Sequence, residues 1–196
     1  VPASGAVRRL THGAADDWDP ALSRDGRILV WSSRRSGHFE IWRSAPDGSA
    51  PVQVTRDGVD AENPSISPDG RWIVYSSGNP DKTGLWKIRP DGSDASRLTT
   101  TFGVIPEISP DGRYVLYIEQ AALGTQRVLR VVRLEDGSAI PFEIRLALRE
   151  RSPGYSMGRA RWTPDGRAVA FVGQNDSGQH GVFIQEFAPG RDTSAT

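Results

Sequence analysis

Gly154-Tyr155-Ser156-Met157-Gly158 is a stretch whose residue types could supply a nucleophile. Gly-x-Ser-x-Gly is the pattern of the nucleophile elbow, a sharp strand-to-helix turn that lifts a serine above a sheet and works with a later acid and histidine. That context is missing here. No helical periodicity follows the motif, and His180, the only later histidine, sits in a short polar segment. Ser156 is therefore read as a loop residue, and no catalytic residue is assigned. The three histidines, His12, His38 and His180, fall in three different loops, and there is no cysteine. A thiolate zinc site and a disulfide framework are thus excluded. A histidine site would need separate loops to converge. The reading assigns no metal and no cofactor.

Carboxylates gather at two places, Asp16, Asp17 and Asp19, then Asp60 and Glu62. Oxygen ligands of this kind suit a hard cation, but no calcium-loop spacing is present. Capping of turns by Asx side chains is the simpler role. Farther on, Arg159 and Arg161 are basic, and Glu107 stands at the place equivalent to Arg161, where Ala21 and Ser65 are small. Glu107 and Arg161 can therefore form an ion pair between neighbouring strands. The candidate ligand-binding residues are Asp17, Asp60, Glu62, Glu107, Tyr155, Arg159 and Arg161. Acidic on one side and basic on the other, such a face suits a mixed-charge peptide or protein. Nucleic acid is disfavoured, because 24 basic and 24 acidic residues leave no basic excess.

What positions these residues is a repeat. Leu22-Ser23-Arg24-Asp25-Gly26-Arg27 recurs as Ile66-Ser67-Pro68-Asp69-Gly70-Arg71, Ile108-Ser109-Pro110-Asp111-Gly112-Arg113 and Trp162-Thr163-Pro164-Asp165-Gly166-Arg167. A period of about 40–50 residues signals a solenoid or a propeller. A strand leads into each Asp-Gly turn, which is expected as a two-residue hairpin. A near-continuous apolar strand leaves it, carrying Trp31, Tyr75, Tyr117 or Phe171 in register. Such runs imply burial on both faces. A polar loop, a third strand and a second Asp-Gly turn follow, and a fourth strand closes three of the repeats. Thr11, Thr55 and Thr99 mark the joins.

Four strands in about 42 residues make the blade of a β-propeller. The expected fold is all-β, one propeller domain over residues 1–196. Its blades fall near 16–55, 60–99, 102–146 and 156–187, and the last is completed by a strand over residues 8–11. Leu-Thr, a proline-containing strand, Ser-Pro-Asp-Gly-Arg, an aromatic strand and Ile-Trp together resemble the PD40 repeat of TolB-like propellers, over about residues 7–190. Arg24 and Thr163 depart from the Ser-Pro-Asp-Gly pattern within otherwise matching copies. TolB-like propellers usually have six or more blades. Three arrangements are therefore open: part of a larger propeller, a four-blade ring, or two chains sharing a ring.

The resemblance implies a non-enzymatic binding or sensor domain that recognises a protein, peptide or envelope ligand at the channel mouth. The long segment 147–158, which carries Tyr155, belongs to that mouth. The alternative is the propeller portion of a hydrolase or lyase, as in prolyl-oligopeptidase-like architecture, with the catalytic domain elsewhere. The resemblance also implies a periplasmic or extracellular setting. Open blade edges would allow self-association. No apolar run is long enough to span a bilayer, so direct membrane insertion is not expected. Val1 in place of Met leads to the expectation that the chain starts inside a longer gene product or after processing.

Overall fold

The computed structural model describes residues 5, 7–120, 127–146, 160–174, 177 and 179–194. These form fifteen strands in four antiparallel sheets, each with its strands in chain order. Blade one holds β1 (Asp17–Leu22), β2 (Leu29–Ser33), β3 (Glu40–Ser44) and β4 (Val52–Gln53). Blade two holds β5 (Ala61–Ile66), β6 (Ile73–Ser77), β7 (Gly84–Ile88) and β8 (Ser96–Arg97). Blade three holds β9 (Gly103–Ile108), β10 (Tyr114–Gln120), β11 (Arg127–Arg133) and β12 (Ala139–Leu146). Blade four holds β13 (Arg161–Trp162), β14 (Ala168–Gln174) and β15 (His180–Glu186). A 3-10 turn, Pro80–Lys82, is capped by the Asn79 side chain.

The turn that defines the repeat is wider than a two-residue hairpin. Its hydrogen bonds show why. In blade one the Ser23 N–H donates to the Ile28 carbonyl and the Gly26 N–H to the Ser23 carbonyl. The Ser23 hydroxyl accepts the Ile28 N–H at 2.9 Å and donates to Asp25 Oδ1 at 2.6 Å, which itself takes the Arg27 N–H at 3.0 Å. Ser67 with Asp69, Ser109 with Asp111 and Thr163 with Asp165 repeat this set. Every member has a job: the hydroxyl closes the loop, the carboxylate stiffens it, and the glycine takes a positive φ, +70° at Gly26.

The core lies in three seams between successive blades. Val30, Ile41 and Val54 meet Ile66, Ile73 and Tyr75 in the first. Val74 and Leu85 meet Val115, Tyr117 and Val132 in the second. Leu116, Leu129, Phe142 and Ile144 meet Trp162, Val169 and Phe187 in the third. Phe187 there lies within 4.8–5.5 Å of Tyr114, Phe142 and Trp162, edge-on to each. The end blades have no such cover. Trp18 and Leu22 on β1, and Val172, Val182 and Ile184 on β14 and β15, are all about half exposed or more. The blades thus form an open arc and not a closed four-blade ring.

One expectation is corrected. Residues 8–11 form no strand, and the fourth sheet has three strands among the described residues. The Leu10 carbonyl instead presses on Gly48 so closely that no Cβ fits there. The Leu98 carbonyl does the same at Gly137, and the Val54 carbonyl lies 3.2 Å from the Cβ position of Gly92. Residues 8–11 thus stand to blade one as residues 52–55 stand to blade two, seated on the next blade's outer turn. Residues 52–53 also pair with β3 of their own sheet, whereas the open arc gives residues 8–11 no sheet to join. Beside β15, the Gln185 side chain donates to the Thr193 carbonyl.

Candidate functional site at the channel mouth

The innermost strand of blades one, two and three carries a bulge just before its proline. Asp19, Asn63 and Ile105 have φ of +51°, +54° and +54°, and each precedes a proline. The ladder with the second strand slips at the same places, between Trp18 and Ala21, between Glu62 and Ser65, and opposite Leu116 and Ile118. A β-branched residue in the left-handed region is uncommon. Neighbours fix it here. Asn63 Nδ2 donates to Asp19 Oδ2 at 2.7 Å, and the Ile105 N–H donates to Asn63 Oδ1 at 3.4 Å. A belt of hydrogen bonds therefore links the inner strands of blades one, two and three.

The expected site residues divide sharply around this belt. Asp17 accepts Trp31 Nε1 at 3.1 Å and Arg35 at 3.2 Å. Burial pushes its carboxyl up, but hydrogen bonds from Ser33, Thr11 and Arg35 and the charge of Arg35 outweigh it, so the group ends below its ordinary value. Asp60 Oδ1 takes the Phe39 N–H of blade one at 3.1 Å, and the Asp60 carbonyl takes the Gly78 N–H. Both aspartates are thus committed to holding the fold. Glu107 and Arg161 form the anticipated ion pair at 2.5 Å, and Glu107 Oε1 also accepts the Trp162 N–H at 3.1 Å. Tyr155 and Arg159, together with Ser156 and the whole of 147–158, lie outside the described residues.

Glu62 behaves differently. It is half-buried, and no hydrogen bond or ion pair holds its carboxylate among the described residues. Burial raises its pKa first, the charges of Asp60 and Asp19 raise it further, and Arg34 opposes them. Arg34 lies over the Phe39 ring at 5.2 Å, and Phe39 touches Trp18 at 4.7 Å between ring centres. Trp18, with 54% of its surface exposed, thus stands at the rim of an acidic patch. Such a patch can attract a cation by charge and hold it against an aromatic face. Among the described residues no three His, Cys, Asp or Glu side chains gather as a metal set. Arg34, Asn63 and Trp18 were not legible as a group. The signal available was the residue-plus-proline pair that recurs inside the inner strands of blades one, two and three.

Residues 2–157 match the family model described as the TolB beta propeller domain, PD40. Among solved structures, the chain superposes on a TolB candidate from Agrobacterium tumefaciens with a TM-score of 0.68 at 22% identity, covering 96% of this chain and 65% of that one. TolB from Acinetobacter baumannii gives 0.71 at 17% identity, over 94% of this chain and 44% of that one. An acylaminoacyl peptidase gives 0.59 at 14% identity, over 88% and 31%. An uncharacterised protein of Agrobacterium fabrum is 42% identical over 52 residues, 26% of this chain and 18% of its own length. The chain therefore spans less than two thirds of the length of each of these proteins.

Proposed function

The chain belongs to the PD40 family of TolB β-propeller domains, and from that premise we propose that it is a non-enzymatic binding domain whose channel mouth takes a basic side chain of a protein or peptide. The observation that carries this reading is Glu62, a carboxylate with no ion-pair partner among the described residues, beside Asp19 and Asp60, with exposed Trp18 at the rim. Charge brings a basic partner in, and the indole face adds a contact that a lone acidic patch lacks. The same reading sets the domain outside the cytoplasm, in an envelope protein network. Family membership supports that setting, and no helix among the described residues is long and apolar enough to cross a membrane. A propeller serving a hydrolase or lyase is the weaker reading, since its support is fold likeness at 14% identity.

Fluorescence titration with a tri-lysine peptide tests the proposal, with tri-glutamate as control. Tri-lysine should quench the Trp signal saturably. Glu62→Gln and Trp18→Ala should each weaken it several-fold, and the effect should fade with salt. Equal binding of the two peptides, or binding unchanged by both substitutions, would sink the idea.

A further inference from the structure

In blades one to three the aromatic residue that recurs on the second strand has a polar end, and in two of them that end is satisfied locally. Trp31 Nε1 donates to Asp17. The Tyr117 hydroxyl is hydrogen-bonded by Thr101. Tyr75 is the exception. The residue is 2% exposed and its hydroxyl makes no hydrogen bond among the described residues, yet that oxygen is not one of the fully enclosed polar atoms without a partner, so it reaches open space. Asp57 stands two residues past its repeat threonine, as Thr101 does, so it could have played the Thr101 part. It is drawn away instead. Ser77 Oγ donates to Asp57 Oδ2 at 2.7 Å, and Lys82 Nζ donates to Oδ1 at 3.0 Å. A tyrosine ring that is packed while its hydroxyl stays open can offer that hydroxyl to a bound molecule.

Tyr75 lines a cleft of about 210 Å³ between the linker after blade one and the outer part of blade two. Val54, Trp86 and Ile88 give it apolar walls, and Arg56 and Lys82 also line it. The groups without a fixed partner are mostly donors. Arg56 is exposed, and its side chain makes no hydrogen bond or ion pair among the described residues. Among the described residues the Lys82 ammonium bonds to Asp57 alone and keeps further N–H groups. The Tyr75 hydroxyl is a third donor. The Asp57 carboxylate already carries two hydrogen bonds, and buried Glu40 is tied to Thr55 and to the N–H groups of Asp57 and Gly58. A site rich in unused donors calls for an acceptor, and charged acceptors give the strongest bonds. Pockets for drug-sized ligands run from about 300 Å³ upward, so this one fits something smaller.

We propose that this cleft binds a small carboxylate with an apolar body, its carboxylate meeting Tyr75, Arg56 and Lys82 and its body lying on Trp86, Val54 and Ile88. The site lies apart from the mouth, so its fate and that of the mouth can be told apart. The probe is sodium benzoate, followed by amide NMR shifts, with neutral benzamide as the uncharged match. Benzoate should give saturable shifts at Thr55, Gly92 and Ala95. Tyr75→Phe removes only the hydroxyl and should weaken binding about tenfold or more. Arg56→Gln should act in the same direction, and being a surface change it carries the test should Tyr75→Phe fail to fold. Absence of saturable shifts overturns the proposal. So does unchanged affinity in the folded variants. Benzamide binding as tightly as benzoate would show an apolar crevice without carboxylate recognition, and would also overturn it.

Discussion

Glu62 titrates against its neighbours. Its folded pKa is raised by burial and by Asp60 and Asp19. A raised carboxylate adds stability that is full below the ordinary glutamate value and is lost as pH rises through the folded value. Glu62→Gln should therefore reduce the fall of thermal stability with rising pH just above the glutamate range and leave the protein at least as stable at neutral pH. Melting temperatures measured across that range check it; a clear drop at neutral pH would contradict it. Asp25 and Asp165 have the opposite sign. The Ser23 and Thr163 hydroxyls and the backbone N–H groups beyond hold them below their ordinary value. Their contribution is present above that value and disappears as pH falls through the lowered one. Tyr75 separates packing from polarity. Tyr75→Ala should cost about 3–5 kcal/mol as a cavity in the first seam, whereas Tyr75→Phe discards a hydroxyl with no partner and should be close to neutral. Chemical denaturation of the two variants settles the contrast.

At the scale of elements, the turn after each inner strand is where the sequence is most transparent. Its residues recur at fixed spacing, and each one acts on atoms within five positions of it. What could not be read was which atom did what. The spacing suggests a short hairpin, while the serine hydroxyl makes a wider one possible by accepting the N–H five residues on. Ser67→Ala should then cost on the order of 1–3 kcal/mol, because Ser67 is buried and leaves the Trp72 N–H without its acceptor. Equilibrium unfolding measures this, and Ser67→Thr should recover most of the loss, since Thr163 fills the same role in blade four. The Glu107–Arg161 pair was also legible, as two opposite charges at equivalent places on neighbouring strands. The positive-φ bulges were not. They depend on Asn63 reaching Asp19 from the next blade, 44 residues away, and no local pattern encodes that reach. Glu107→Ala should destabilise more than Arg161→Ala, because only the former also frees the Trp162 N–H; paired melting curves compare them.

At the scale of the whole molecule, blade number and strand order follow from the repeat, because each copy builds the same sheet. Placement of residues 8–11 does not follow, since a strand-like sequence is compatible with either end of the arc. The open arc leaves them no sheet to join, while the Leu10 carbonyl still seats on Gly48 as the Leu98 carbonyl does on Gly137. The uncovered faces carry their own expectation. Ile184→Lys and Leu22→Lys should each leave the fold intact and reduce self-association, measured by light scattering against concentration.

The seating of Leu10 on Gly48, and of Val54 and Leu98 on the turns beyond them, has a practical meaning for anyone cutting this protein into parts. The unit that folds is not the unit that repeats. A blade excised at its sheet boundaries leaves behind the strip of chain that shields its own outer corner. Modules meant for grafting or shuffling should therefore begin upstream of the sheet boundary, inside the outermost strand of the blade before, Val52–Gln53 for blade two. A cut at residue 52 should give a sounder second blade than a cut at residue 58.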